Sequence, residues 1–195
     1  MNKKRIAILG DGNVGSALAR GLQRAGHEVR AVGNDKPAIR DVAGWGEVVI
    51  LAVPYGVIDD AVKAAGDALV GKTLVDVTNA LGPNMNLAVG FDTSGAEALQ
   101  KKAPKARVVK AFNTVFAIHM DSGKIGGQSL TAFVAGDDAG AKAVVLGLAG
   151  DIGFDPVDAG PLENARLLEP LALLNIRLGY GLKMGPDIGF RLLHP

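Results

Sequence analysis

Short apolar runs alternate with amphipathic stretches along almost the whole chain, and this switching between a strand period and a helical period predicts a parallel α/β sheet. A first strand is expected at Arg5–Leu9, its helix at residues 13–25 with Gly26 as the stop, and a second strand at 27–32. A short helix at 36–42 leads to 48–53, the most β-like run in the chain, expected at the centre of the sheet. Pro54 closes that run, residues 57–68 have helical spacing, and 73–77 form a fourth strand. The second half continues with a helix at 96–102, strands at 107–111 and 130–135, and a helix at 138–148 capped by Asp137 or Asp138. A strand at 154–158 and a final helix at 164–178, interrupted near Pro170, complete the pattern, and 82–95 is the longest loop-like stretch. The fold class is therefore α/β: a Rossmann-like, doubly wound, mostly parallel sheet with a short helical C-terminal extension. Residues 1–160 are expected to form a dinucleotide-binding domain, and 161–195 an extension packed on that domain or on a partner subunit.

The first strand runs directly into Gly10-Asp11-Gly12-Asn13-Val14-Gly15 and then into a helix. A turn of this kind points backbone N–H groups outward at the positive end of a helix dipole, where a pyrophosphate can sit without a basic side chain. Gly10 permits the tight turn, Gly12 leaves no Cβ between backbone and phosphates, and Gly15 lets the helix pack closely on the strand. With 27 glycines in 195 residues the motif alone is weak; its place between strand and helix strengthens it.

Ligands of open α/β sheets bind beyond the carboxyl ends of the strands. The residues expected there are Asp11 to Val14, Gly33 to Lys36, Pro54 and Tyr55, Thr78 to Ala80, and Phe112 to Thr114. They are mostly small or uncharged, which suits a cofactor lying along the edge better than a hydrolytic triad or a metal cage. In the loop after the second strand the signals conflict. Asp35, twenty residues after Gly15, has the spacing of an acid that holds ribose hydroxyls, or else caps the helix that follows; Asn34 and Lys36 are candidates to hold a 2′-phosphate, with Arg40 one turn further on.

Composition narrows the classes. The formal net charge of +1 offers no broad field for nucleic acid or an anionic membrane, and 48% hydrophobic with 21% charged residues describes an ordinary globular chain. The absence of cysteine removes disulfides and thiolate chemistry and fits a reducing cytoplasm. No membrane insertion is expected, because the apolar segment 167–182 contains Glu169, Pro170, Asn175 and Arg177. Three scattered histidines, His27, His119 and His194, suggest no metal site and read as structural; Trp45 reads as a lid on the core. Leu167, Leu168, Leu171, Leu174 and Leu178 form a helical stripe for packing on the domain or on a second subunit.

The glycine turn, the Val53-Pro54 strand end, Val108-Val109-Lys110-Ala111-Phe112-Asn113-Thr114, and the run from Asp158 through Ala159-Gly160-Pro161-Leu162 to Arg166 occur here in one order. Together they resemble the deazaflavin-dependent NADP oxidoreductase family, whose nucleotide-binding domain is also similar to that of the STEAP metalloreductases. The resemblance covers nearly the whole chain and implies NADP(H) as cofactor, with NAD as the alternative, and hydride exchange with a deazaflavin or flavin acceptor. It further implies that Gly12, Asn13 and Val14 contact the pyrophosphate, that Asn34 takes a 2′-phosphate position, and that Val53 and Pro54 pack on the adenosine side. Asn79, Ala80, Asn113 and Thr114 fall at the nicotinamide end, Lys110 is structural, and a homodimer is expected. Where the family usually has Ser-Arg or Thr-Arg after the second strand, this chain has Asn34-Asp35. No acid–base residue is assigned, since hydride transfer between stacked rings needs mainly orientation and close approach. The alternative is a module that binds NAD(P) as a sensor, without turnover.

Overall fold

The computed structural model describes residues 3–193. Seven strands form one sheet: β1 (Arg5–Leu9), β2 (Glu28–Val32), β3 (Val48–Leu51), β4 (Thr73–Asp76), β5 (Arg107–Lys110), β8 (Thr131–Gly136) and β9 (Asp155–Asp158), in the order β2-β1-β3-β4-β5-β8-β9. A separate hairpin, β6 (Lys124–Ile125) and β7 (Gln128–Ser129), lies outside it. Strands β1 to β5 are parallel, so their carboxyl ends share one edge. β3 is fully buried, as its apolar run requires, and sits inside the sheet, but the middle strand is β4. β2 lies at the edge and shows the half-exposed pattern of that position.

Successive side chains on a strand point to opposite faces, and two cores result. On one face Ile6, Ile8, Val48, Ile50, Val75 and Val109 pack against α1 (Asn13–Arg24) and α5 (Ala139–Ile152). On the other, Ala7, Leu9, Val49, Leu51, Leu74 and Val108 pack against α2 (Lys36–Trp45), α3 (Ile58–Ala65) and α4 (Gly95–Lys102). Both faces of the sheet are covered, as an all-parallel run of strands demands.

Several elements depart from the sequence pattern. α2 continues to Trp45, and stops at Gly46, where a Cβ would lie 2.7 Å from that of Ala7. Trp45 is half-buried, with the Arg30 guanidinium stacked 4.3 Å from its ring centroid. α5 runs to Ile152 and ends on Gly153 in the left-handed conformation, while Asp138, not Asp137, caps its start through a 2.7 Å bond from Ala141 N–H. The final helix α6 (Ala165–Ile176) is not interrupted: Pro170 sits within it, and a π turn (Arg177–Gly181) extends it. The loop 82–95 contains a 3-10 turn and a bridge between Leu81 and Leu87.

β8 runs antiparallel to β5, because the connection between them is a 3-10 turn and the β6–β7 hairpin instead of a helical crossover. Consequently the chain after β8 and β9 turns toward the opposite edge, where Gly136 N–H donates to the Gly160 carbonyl and Leu162 N–H to Asp137. α6 then climbs back to the carboxyl edge of β4 and β5.

Candidate functional site

The glycine turn occupies the carboxyl end of β1, tied to its neighbours by Gly10 N–H to the Val32 carbonyl (2.8 Å) and Ala52 N–H to the Leu9 carbonyl (2.8 Å). Gly10 has φ +113°, and a Cβ there would fall on the Ala52 carbonyl; a Cβ at Gly15 would fall on the Gly10 carbonyl and 3.3 Å from Ile8 Cγ2. Both glycines are therefore demanded by packing. Gly12 is different: nothing lies within 4 Å of the position its Cβ would take. It is the N-cap of α1, and no side chain caps that helix, whereas Asp35, Ser94 and Asp138 cap α2, α4 and α5. The first bond of α1 is Ser16 N–H to the Gly12 carbonyl, which leaves the N–H groups of Asn13, Val14 and Gly15 ahead of it without a partner inside the helix, with Asn13 exposed and Val14 half-buried. An uncapped, solvent-open helix N-terminus beside a backbone without Cβ fits a pyrophosphate.

At the end of β2, Asn34, Asp35 and Lys36 are exposed. Asp35 Oδ1 accepts from Ala38 N–H at 3.3 Å, so the capping alternative is realised. At the end of β3, Val53 is half-buried and Pro54 exposed, and Tyr55 turns inward, 3.0 Å from where a Cβ of Gly95 would stand. Burial, and then the Glu169 charge, push the Tyr55 hydroxyl pKa up.

Beyond β4 and β5 the structure buries most of what the sequence assigned to the nicotinamide end. Ala80 is wholly buried and its carbonyl accepts from Ala88 N–H; Asn113 and Thr114 are also buried, and only Asn79 is partly exposed. Asn79 and Asn113 bond reciprocally: Asn79 Nδ2 donates to the Asn113 carbonyl (3.1 Å) and Asn113 Nδ2 to Asn79 Oδ1 (3.0 Å). Asn113 Nδ2 also donates to the Leu168 carbonyl, which fixes the amide so that its Oδ1 has no partner; Thr78 Oγ1 is likewise buried and unpaired. Phe112, between β5 and Asn113, has φ +64°, a left-handed conformation costly for an aromatic residue and common at functional sites.

One arrangement escaped sequence reasoning. Lys110, fully buried, donates from Nζ to Asp76 (3.0 Å), to the Thr78 carbonyl (2.6 Å) and to Glu169 (2.9 Å). Glu169 in turn accepts from Gly95 N–H and Ala96 N–H at the start of α4. Burial works against the ammonium charge, but the two carboxylates outweigh it and hold the Lys110 pKa above its ordinary value. The only signal in the sequence was a lysine inside an apolar strand, and its carboxylate partners lie far away along the chain.

Two of the histidines have partners within the protein: His27 Nδ1 accepts from Lys4 N–H and Nε2 faces Asp151, while His119 Nε2 meets the Pro186 carbonyl; His194 lies outside the described residues. The run from Asp158 to Arg166 builds the turn into α6, away from the glycine turn: Asp158 accepts from Gly160 N–H and Lys142, and Leu162 is buried.

Residues 5–44 match the family model described as "NADP oxidoreductase coenzyme F420-dependent". Over 164 residues the chain is 32% identical to the F420-dependent NADP reductase of Methanocaldococcus jannaschii, covering 80% of this chain and 71% of that one. The chain belongs to the F420-dependent NADP oxidoreductase family. A crystal structure from Arthrobacter sp., titled a putative F420-dependent NADP-reductase, superposes on it with a TM-score of 0.89 at 33% identity, over 98% of this chain and 100% of that one. The metalloreductase STEAP3 of Rattus norvegicus is 31% identical over 185 residues, 87% of this chain, but the chain spans only 37% of that protein's length. Membership places the chain among NADP-dependent oxidoreductases and agrees with the α/β fold expected from its pattern. Among the described residues no helix is long and apolar enough to cross a membrane.

Proposed function

We propose that this oxidoreductase exchanges a hydride between NADP(H), bound along the edge from the glycine turn to Asn79, and a deazaflavin or flavin acceptor. The observation that carries the reading is the uncapped N-terminus of α1, where nothing stands against a Cβ position at Gly12 and the N–H groups of Asn13 and Val14 have no partner inside the helix. Gly10 and Gly15 shape that turn, Asn34 and Lys36 lie where a 2′-phosphate is held, and Val53 with Pro54 forms the wall for the adenosine. Bound there, the dinucleotide supplies the reactive hydride itself.

The residues at the far end orient and exclude water. Asn79 and Asn113 lock the ends of β4 and β5 together, and Asn79, the partly exposed one of the two, is the side chain that can meet a carboxamide. Lys110 is no proton donor in this scheme, because all three of its N–H bonds are taken by Asp76, Thr78 and Glu169. A cavity of about 500 Å³ lies between the β6–β7 hairpin, the residue before β8 and the C-terminal segment, lined by Ile125, Leu130, Leu178, Met184 and Phe190. Asn175 both faces that cavity and donates to the Thr114 carbonyl at 3.1 Å. Its size and mixed lining suit a ring-shaped acceptor.

The C-terminal part, described as far as residue 193, is on this reading an extension packed on the nucleotide-binding part, and its outer face favours a homodimer. Along α6 and the π turn, Leu167 and Leu174 are 64% and 49% exposed, with Leu171 and Leu178 half-buried on the same stripe, while Leu168 faces inward. Tyr180, Leu182 and Met184 extend the exposed apolar surface.

Stopped-flow mixing of NADPH-loaded protein with reducible deazaflavin, and separately with flavin, tests the reading. Loss of reduced-nicotinamide absorbance in step with acceptor reduction is expected. Tight dinucleotide binding with neither acceptor reduced would overturn it.

A further inference from the structure

The acid best placed to read the 2′ position of the adenosine ribose is not the one sequence spacing selects. In doubly wound folds that position is read at the carboxyl end of β2. Asp35, twenty residues past the glycine turn, has a carboxylate oxygen engaged by the backbone of α2. Asp11 lies within the glycine turn, and its carboxylate reaches across to the first residue after β2: its oxygens are 2.9 and 3.0 Å from where a Cβ of Gly33 would stand. Gly33 thus makes the room that the carboxylate occupies. Among the described residues no hydrogen bond or ion pair engages that carboxylate, and the one bond at Asp11 is Ser16 Oγ donating to its main-chain carbonyl at 2.8 Å. A free charge is held at the junction of β1 and β2, beside the exposed Asn34 and Lys36.

We infer that Asp11 is the cofactor-selecting residue: its carboxylate accepts from a ribose 2′-hydroxyl and repels a 2′-phosphate. It offsets the attraction that Lys36 and Arg40, both exposed and without ion-pair partners among the described residues, offer a phosphate, so the protein takes NADH alongside NADPH. This assignment rests on the dinucleotide reading of the glycine turn.

Dissociation constants for NADH and NADPH, measured by calorimetry on the full chain, test it with three variants. Asp11→Asn keeps the shape and removes the charge; Gly33→Ala places a methyl group against the carboxylate and displaces it. Each is expected to shift the affinity ratio toward NADPH, Asp11→Asn by about tenfold. Asp35→Ala is expected to leave the ratio within about threefold. An unchanged ratio in Asp11→Asn, with the wild type binding both dinucleotides, overturns the role of Asp11 alone, as does a shift in Asp35→Ala that Asp11→Asn lacks. A wild type that binds neither dinucleotide overturns the reading of the turn itself.

Discussion

Lys110 and Glu169 meet at 2.9 Å in the interior, joining β5, the last strand of the parallel run that starts at β1, to α6. With Asp76 on β4 the group carries two carboxylates and one ammonium, and the surplus negative charge is met by the N–H groups of Gly95 and Ala96 at the positive end of α4. Because the same ammonium holds the Thr78 carbonyl, the loop after β4 is anchored to α6. Replacing Lys110 with Met leaves both carboxylates buried without a counter-ion, and a loss of about 3–5 kcal/mol in urea unfolding is expected. The combined Lys110→Met, Asp76→Asn, Glu169→Gln variant should recover part of that loss.

The three glycines of the turn should separate binding from folding. Gly12→Val projects its side chain into open space, so calorimetry should find no dinucleotide binding in a protein whose circular dichroism and melting temperature are unchanged. Gly15→Val drives its Cβ into the Gly10 carbonyl, and the expected result is an insoluble or unfolded chain. Retained NADPH affinity in Gly12→Val would remove the pyrophosphate from this turn.

Stability should fall at both ends of the pH scale through identifiable groups. The two-pronged bond from Arg166 to Glu97, at 2.7 and 2.9 Å, holds the Glu97 pKa below its ordinary 4.5. A depressed folded value means that the contribution is present above about pH 4.5 and is lost as pH falls through the lower folded value. Lys110 has the opposite sign: its raised value keeps its contribution intact below pH 10.5 and loses it only above. Thermal melts across pH should show a flatter acid limb in Glu97→Gln, with the alkaline limb unaltered.

Asp35 is expected to matter for stability. Its cap on Ala38 N–H should make Asp35→Ala less stable by about 1 kcal/mol in chemical denaturation.

The exposed stripe on α6 predicts a concentration-dependent dimer. Leu174→Glu places a charge in its middle without touching the core, and sedimentation should move from dimer to monomer while the melting profile of the monomer is kept. A wild type that sediments as a monomer at all concentrations would rule out that use of the stripe.

The first two-thirds of the fold was legible because each strand of the parallel run is a short apolar block with punctuation beside it. The glycine turn was legible for the same reason: its conformation is set within a few residues. Two features misled. The β6–β7 hairpin, turned by Gly126 and Gly127 at φ +56° and +80°, was hidden in a stretch without alternating hydrophobics, and with it the reversal of β8. Pro170 looked like a helix break, yet α6 runs through it, since packing of Leu168, Ala172 and Leu173 holds the helix on both sides.

Local chemistry, written in neighbouring residues, settled the α/β class and the strand–turn–helix start, and pointed to the edge proposed for the cofactor. Periodicity, glycine freedom and helix caps all act over a few residues, so they need no knowledge of the rest of the chain. Which polar groups are free was decided only in three dimensions. Lys110 met Asp76 and Glu169 inside the core, Ala80 and Thr114 were buried, Asp35 was drawn onto α2, and Asp11 was left open beside Gly33. A charge or hydrogen bond is satisfied by whatever folding brings within about 3 Å, and most such partners come from distant parts of the chain.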